Sequence, residues 1–153
     1  MASYKTVLVG TDGSESSFRA VERGAQVAAD AGGTLLIVSA YMAMSDRDAR
    51  RASEALGEES YKVVGSHPAE DILREATDIA KKAGATNVDT LSQSGDPVDV
   101  LVDVIDKRDV DLCVVGNRGL NSLAGRLLGS VPANISHRAG CDVLIVHTTT
   151  RGR

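Results

Sequence analysis

An α/β domain built around a parallel sheet is the expectation here, and three observations lead to it. Short apolar runs alternate along the 153 residues with stretches of helical periodicity. Most of those runs are continuous rather than alternating, as strands covered by helices on both faces require. Aromatic residues make up 3% of the chain and Trp is absent. The core must therefore come from Val, Leu, Ile and Ala, which suit small helix faces packed on a β-branched sheet. The length fits one domain, spanning 1–153.

The strand candidates are Thr6–Val9, Thr34–Ala40, Val88–Leu91, Leu112–Val115 and Val143–Val146. The third, within Asn87-Val88-Asp89-Thr90-Leu91, alternates apolar with polar and reads as an edge strand. Helical patterns lie between the strands. Phe18, Val21, Ala25 and Ala28 follow the capping sequence Asp12-Gly13-Ser14. Ile72, Leu73, Ala76, Ile79, Ala80 and Ala83 form a second stripe, opened by His67-Pro68 and closed by Gly84. Val98, Leu101, Val102 and Ile105 form a third, with Asp96 as cap and Pro97 in the first helical position. Val131, Ile135 and Ala139 form a fourth, from near Ser130 to Gly140. This alternation implies right-handed crossovers between parallel strands. A charged insertion over about 41–66 interrupts it. A short helix around Arg47–Leu56 is expected there, either a solvated face or a lid.

Composition narrows the function. The chain is 42% hydrophobic and 25% charged, with 17 basic and 21 acidic residues and a net charge of −4. That balance argues against general nucleic-acid binding, which needs a basic footprint. No apolar run is long enough to span a membrane, and Met-Ala-Ser-Tyr-Lys leads straight into the first strand, so a cytoplasmic location is expected. Cys113 and Cys141 fit no zinc or CxxC spacing. They read as small buried hydrophobes or, should their strands be neighbours, as a redox pair. His137 and His147 lack metal-ligand partners nearby in sequence and read as surface residues.

In an open parallel sheet, ligands bind beyond the carboxyl ends of the strands. Two loops have that position. Gly10-Thr11-Asp12-Gly13-Ser14 follows the first strand, and the glycine-rich stretch from Gly116 to Ser130 follows the fourth. The second loop delivers Gly129-Ser130 to a helix start, where free N–H groups and the helix dipole suit a phosphate. Arg118 and Arg126 could pair with phosphate or remain solvated. GxxxxGK[ST], GxGxxG after a strand and GxSxG are all absent. That excludes a P-loop enzyme, a dinucleotide fold of the usual type and a hydrolase elbow.

Gly116-x-x-Gly119, nine residues, then Gly129-Ser130 matches a G-x2-G-x9-G-[S/T] motif. With it stand Lys5 to Ser14, Gly95-Asp96-Pro97, Asp111 to Gly116, Gly129-Ser130-Val131-Pro132 and Cys141 to Val146, in order. Together these blocks resemble nucleotide-binding universal stress proteins, with a similarity to actinobacterial members. The likeness covers almost all of the chain outside the insertion. It implies a five-stranded sheet in the order 3-2-1-4-5, flanked by helices in three layers. It implies ATP or cyclic AMP as ligand, with Mg²⁺ possible alongside ATP. Asp12 would lie near ribose, phosphate or metal, the backbone at Ala40 near the adenine edge, and the loop glycines with Ser130 on phosphate. The candidate nucleotide-binding set is therefore Gly10, Thr11, Asp12, Ala40, Gly116, Asn117, Arg118, Gly119, Gly129, Ser130 and Val131. No residue stands out as catalytic.

Phosphoryl transfer needs positioned cations, a group that orients the nucleophile and usually fixed Mg²⁺ ligands. Asp12 is the one obvious candidate in the two loops. The expectation is a stress or signalling protein that acts as a nucleotide sensor or reservoir without efficient turnover. The alternatives are a slow Mg²⁺-dependent ATPase and a protein–protein module whose loop is structural. The last strand, 142–147, is expected at a sheet edge. Its apolar run favours pairing with a second copy, so a homodimer is expected.

Overall fold

The structure is a computed structural model and describes residues 3–41, 66–117 and 130–148. The predicted helix around Arg47–Leu56 lies outside the described residues. In chain order the elements are β1 (Thr6–Gly10), α1 (Glu15–Ala31), β2 (Thr34–Tyr41), α2 (Ser66–Lys82), β3 (Val88–Ser94), α3 (Pro97–Lys107), β4 (Leu112–Gly116), α4 (Ser130–Arg138) and β5 (Asp142–Val146). The strands form one sheet in the order β3-β2-β1-β4-β5, and every neighbouring pair is parallel. The expected α/β fold and strand order are therefore present, and the alternating third strand is an edge.

Local chemistry accounts for the boundaries. Ser14 caps α1 by accepting a hydrogen bond from the Ser17 N–H, and Gly32 ends the helix in the left-handed region. Asp96 caps α3 by accepting from the N–H groups of Val98 and Asp99, with Pro97 in the first turn.

The strand period of two splits the core into two layers. Val7, Val9, Leu35, Ile37 and Val114 face α1 and α2 and pack on Ala20, Val21, Ala25, Leu73 and Ala76. Leu8, Leu36, Val38, Cys113 and Val115 face α3 and α4 and pack on Leu101, Val104, Ile105 and Ile135. Alanines on α1 and α2 let the helices approach the sheet closely, which is why so few aromatics suffice.

Cys113 and Cys141 are both free. Cys113 is fully buried in β4, and burial pushes its thiol up to about 12. Burial also raises the half-buried Cys141 thiol. The thiolate that redox exchange requires is disfavoured at both, so packing is the role the environment supports.

Candidate functional site

The chain runs from β1 outward to β2 and β3, then crosses back to β4 on the other side of β1. That reversal opens a crevice at the carboxyl ends of β1 and β4, where open α/β sheets take their ligands. A pocket occupies it. Gly10, Thr11 and Asp12 come from the end of β1, Val38 and Ala40 from β2, and Val115 and Gly116 from β4. Three helix starts close it: Ser14 and Ser17 from the start of α1, Pro97 and Leu101 from α3, and Val131 and Pro132 from α4.

The pocket has two unlike sides. Val38, Ala40, Leu101, Val115, Val131 and Pro132 make an apolar slot. Thr11, Asp12, Ser14 and Ser17 make a polar rim at the first turn of α1. The strand alternation of β2 supplies donors and acceptors to the slot. The Thr11 N–H donates to the Val38 carbonyl at 2.9 Å, so Val38 turns its backbone toward β1. The Gly95 N–H donates to the Tyr41 carbonyl at 2.8 Å, so Tyr41 turns toward β3. Between them in phase, Ala40 directs its N–H and C=O toward β1, past the point where β1 has ended at Gly10.

The polar rim is held by its own hydrogen bonds. The Asp12 carboxylate accepts from the Ser14 N–H at 2.9 Å, so one of its oxygens shapes the loop. The Ser17 hydroxyl donates to the Ser14 carbonyl at 2.9 Å. Its single proton is thereby used, so Thr11 Oγ1, 2.8 Å away, donates to Ser17 Oγ. Ser14 Oγ accepts from the Ser17 N–H at 3.1 Å, and among the described residues no acceptor takes its hydroxyl proton.

Six of the residues expected from sequence come together here: Gly10, Thr11, Asp12, Ala40, Gly116 and Val131. Asn117 is not in the lining. Its Oδ1 accepts from the Thr148 N–H at 2.9 Å and from the Thr148 hydroxyl at 3.0 Å, on the β5 side. Arg118, Gly119 and Gly129 lie outside the described residues, as does the side chain of Ser130, the first residue of α4.

Ser17, Val38, Pro97 and Leu101 were not read from sequence as site residues. Two had a signal. Ser17 lies three residues beyond the Ser14 cap, on the same side of α1, and Leu101 lies four beyond Pro97 on α3. Among the described residues, no group of three or more His, Cys, Asp or Glu could hold a metal ion. None of the described helices is long and apolar enough to cross a membrane.

With this geometry in place, the sequence matches the Universal stress protein family over residues 3–147. The chain belongs to this family. It is 57% identical over 150 residues to a universal stress protein of Mycobacterium tuberculosis, covering 97% of this chain and 100% of that protein. A crystal structure of a universal stress protein in complex with cyclic AMP is 47% identical, with a TM-score of 0.75, covering 97% of this chain and 100% of that one. A crystal structure of a protein from M. tuberculosis H37Rv is 48% identical, with a TM-score of 0.61, covering 97% and 99%. In this universal stress protein the G-x2-G-x9-G-[S/T] motif begins at Gly116, which lines the crevice, and ends at Ser130, next in sequence to the lining residue Val131.

Proposed function

We propose that this protein binds an adenine nucleotide, cyclic AMP foremost, in the β1/β4 crevice, and serves as a sensor or reservoir rather than a fast enzyme. One observation carries the proposal: a pocket with an apolar slot on one side and a hydroxyl-lined helix start on the other. Such a pocket suits a flat base joined to a sugar and a small anion. The 47%-identical universal stress protein crystallised with cyclic AMP supports the same ligand.

In this reading the adenine enters between Val38, Ala40 and Leu101, and its edge pairs with the N–H and C=O of Ala40. The phosphate lies toward the starts of α1 and α4, where orphan N–H groups and the Ser14 hydroxyl donate to it. The loop residues Arg118, Gly119, Gly129 and Ser130 complete the phosphate side. Asp12 is the one ionisable side chain of the described lining. A carboxylate beside phosphates repels them unless a ribose hydroxyl or a metal lies between. A cyclic monophosphate, with a single charge, meets less of that repulsion than ATP does.

Calorimetric titration of the purified protein with cyclic AMP, AMP and ATP, with and without Mg²⁺, tests this. Binding of cyclic AMP in the micromolar range, about 8 kcal/mol, is expected. The Asp12→Asn protein tells the two roles of Asp12 apart. Weakening of both cyclic AMP and Mg²⁺-ATP places Asp12 on ribose, and a selective loss of Mg²⁺-ATP places it on the metal. Failure of all three nucleotides to bind would sink the proposal. Hydrolysis of ATP faster than about 1 per second, lost in Asp12→Asn, would replace the sensor with an ATPase.

A further inference from the structure

We infer that Thr148, acting through Asn117 and Ser16, is a positioning residue for the nucleotide pocket; the inference rests on the reading of that pocket given above. Thr148 follows β5 by two residues and is 2% exposed. It does not line the pocket. Its polar groups are nonetheless all engaged, and each bond ties it to an element that forms a pocket wall. Its N–H donates to Asn117 Oδ1 at 2.9 Å and its hydroxyl to the same oxygen at 3.0 Å. Its carbonyl accepts from Arg19 Nη1 at 2.6 Å. Its hydroxyl also meets the Ser16 hydroxyl. An amide oxygen can only accept, so the one hydroxyl proton of Thr148 goes to Asn117, and Ser16 donates to Thr148.

The consequence is geometric. Ser16 stands in the first turn of α1, between Ser14 and Ser17, which form the polar rim. Asn117 follows Gly116, which lines the opposite wall, and its own N–H donates to the Val146 carbonyl at 2.8 Å. Gly116 is also pinned by shape. A Cβ there would lie 3.1 Å from Thr148 Cγ2 and 3.3 Å from Thr148 Oγ1. The Thr148 methyl therefore rests on the Gly116 backbone while its hydroxyl spans Ser16 and Asn117. One buried side chain thus sets the spacing between the start of α1 and the end of β4 from behind the pocket. Valine would fill the same space without burying a hydroxyl, and a buried hydroxyl is costly unless its bonds are made. Packing alone does not call for threonine here.

Three variants test this: Thr148→Val, Thr148→Ser and Ser16→Ala. Each is titrated with cyclic AMP, and amide hydrogen exchange is followed in the ligand-free proteins. Thr148→Val is expected to bind cyclic AMP about tenfold more weakly, the effect of leaving buried partners unsatisfied. Thr148→Ser, which keeps the hydroxyl, is expected to recover most of that loss. Exchange should quicken over residues 10–17 and 112–117 in Thr148→Val and Ser16→Ala, with α2 and β3 unchanged. The inference is overturned if Thr148→Val binds as the wild type does. It is equally overturned if serine fails to rescue, or if exchange quickens uniformly as in general destabilisation. Should Thr148→Val not fold, Ser16→Ala decides by the same two measurements. Should the wild type bind no adenine nucleotide, the proposed function falls, and the exchange pattern still decides whether Thr148 holds the two walls together.

Discussion

Gly13 stands between Asp12 and Ser14, two residues of the pocket rim, with φ at 86°. A side chain is disfavoured there twice. The left-handed backbone costs an ordinary residue about 1–2 kcal/mol, and a Cβ would lie 2.9 Å from Ile72 Cγ1 on α2. Gly13→Ala must therefore move the loop or push Ile72 aside. We expect it to lower stability by roughly 1–3 kcal/mol and to weaken cyclic AMP binding, with thermal melts and calorimetry as the readouts. Wild-type values in both would mean that the rim tolerates displacement. The sequence Asp12-Gly13-Ser14 was readable as a turn and a helix cap, because both depend on neighbours within a few residues. The Ile72 contact was not, because it joins residues on different elements and arises only when α2 packs beside α1.

At the scale of elements, caps place the pocket walls. Asp96 accepts from the Val98 and Asp99 N–H groups at 3.1 and 3.3 Å, and so fixes where α3 begins. Pro97 and Leu101, on the first turns of that helix, face the crevice. Asp96→Ala removes the cap and one favourable charge at the helix start, at a cost of about 1 kcal/mol. That corresponds to a fall in melting temperature of about 2–4 °C for a chain of this size. Urea unfolding should show a lower midpoint with an unchanged slope. A midpoint equal to wild type would mean that water replaces the cap without loss. Strands differ in how openly they declare themselves. The polar alternation of β3 marked it as an edge, whereas β5 is an edge built almost wholly of apolar residues, and its half-buried Val143–Val146 run reads like a central strand. Among the described residues, no element pairs with the outer side of β5.

At the scale of the whole molecule, we expect that edge to pair with a second copy. The groove beside β5 is lined by Leu144 and Val146 with Arg19 and Arg23 of α1, and among the described residues the ladder of β5 is paired on one side only, to β4. We expect two copies to pair their 142–147 strands antiparallel about a two-fold axis, which satisfies the open ladder and covers the apolar run. Light scattering should give twice the 16.0 kDa chain mass, and Ile145→Lys should shift the protein toward the single-chain mass. A single-chain mass for the wild type at micromolar concentration would rule the dimer out. The described helices, strands and caps were legible in the residues, because each rests on interactions that recur every two to four positions along the chain. The order of the strands was not. It came through family likeness, since parallel ladders join segments whose separation carries no local signal. The site divided in the same way. Gly10, Thr11, Asp12 and Gly116 announced themselves as loop residues at strand ends, whereas Leu101 and Val38 became pocket walls only when two layers stacked on one sheet. The bond from Thr148 to Asn117 spans 31 positions. It exists because β5 lies beside β4, a proximity set by the packing of the whole sheet and by nothing in either residue's neighbourhood.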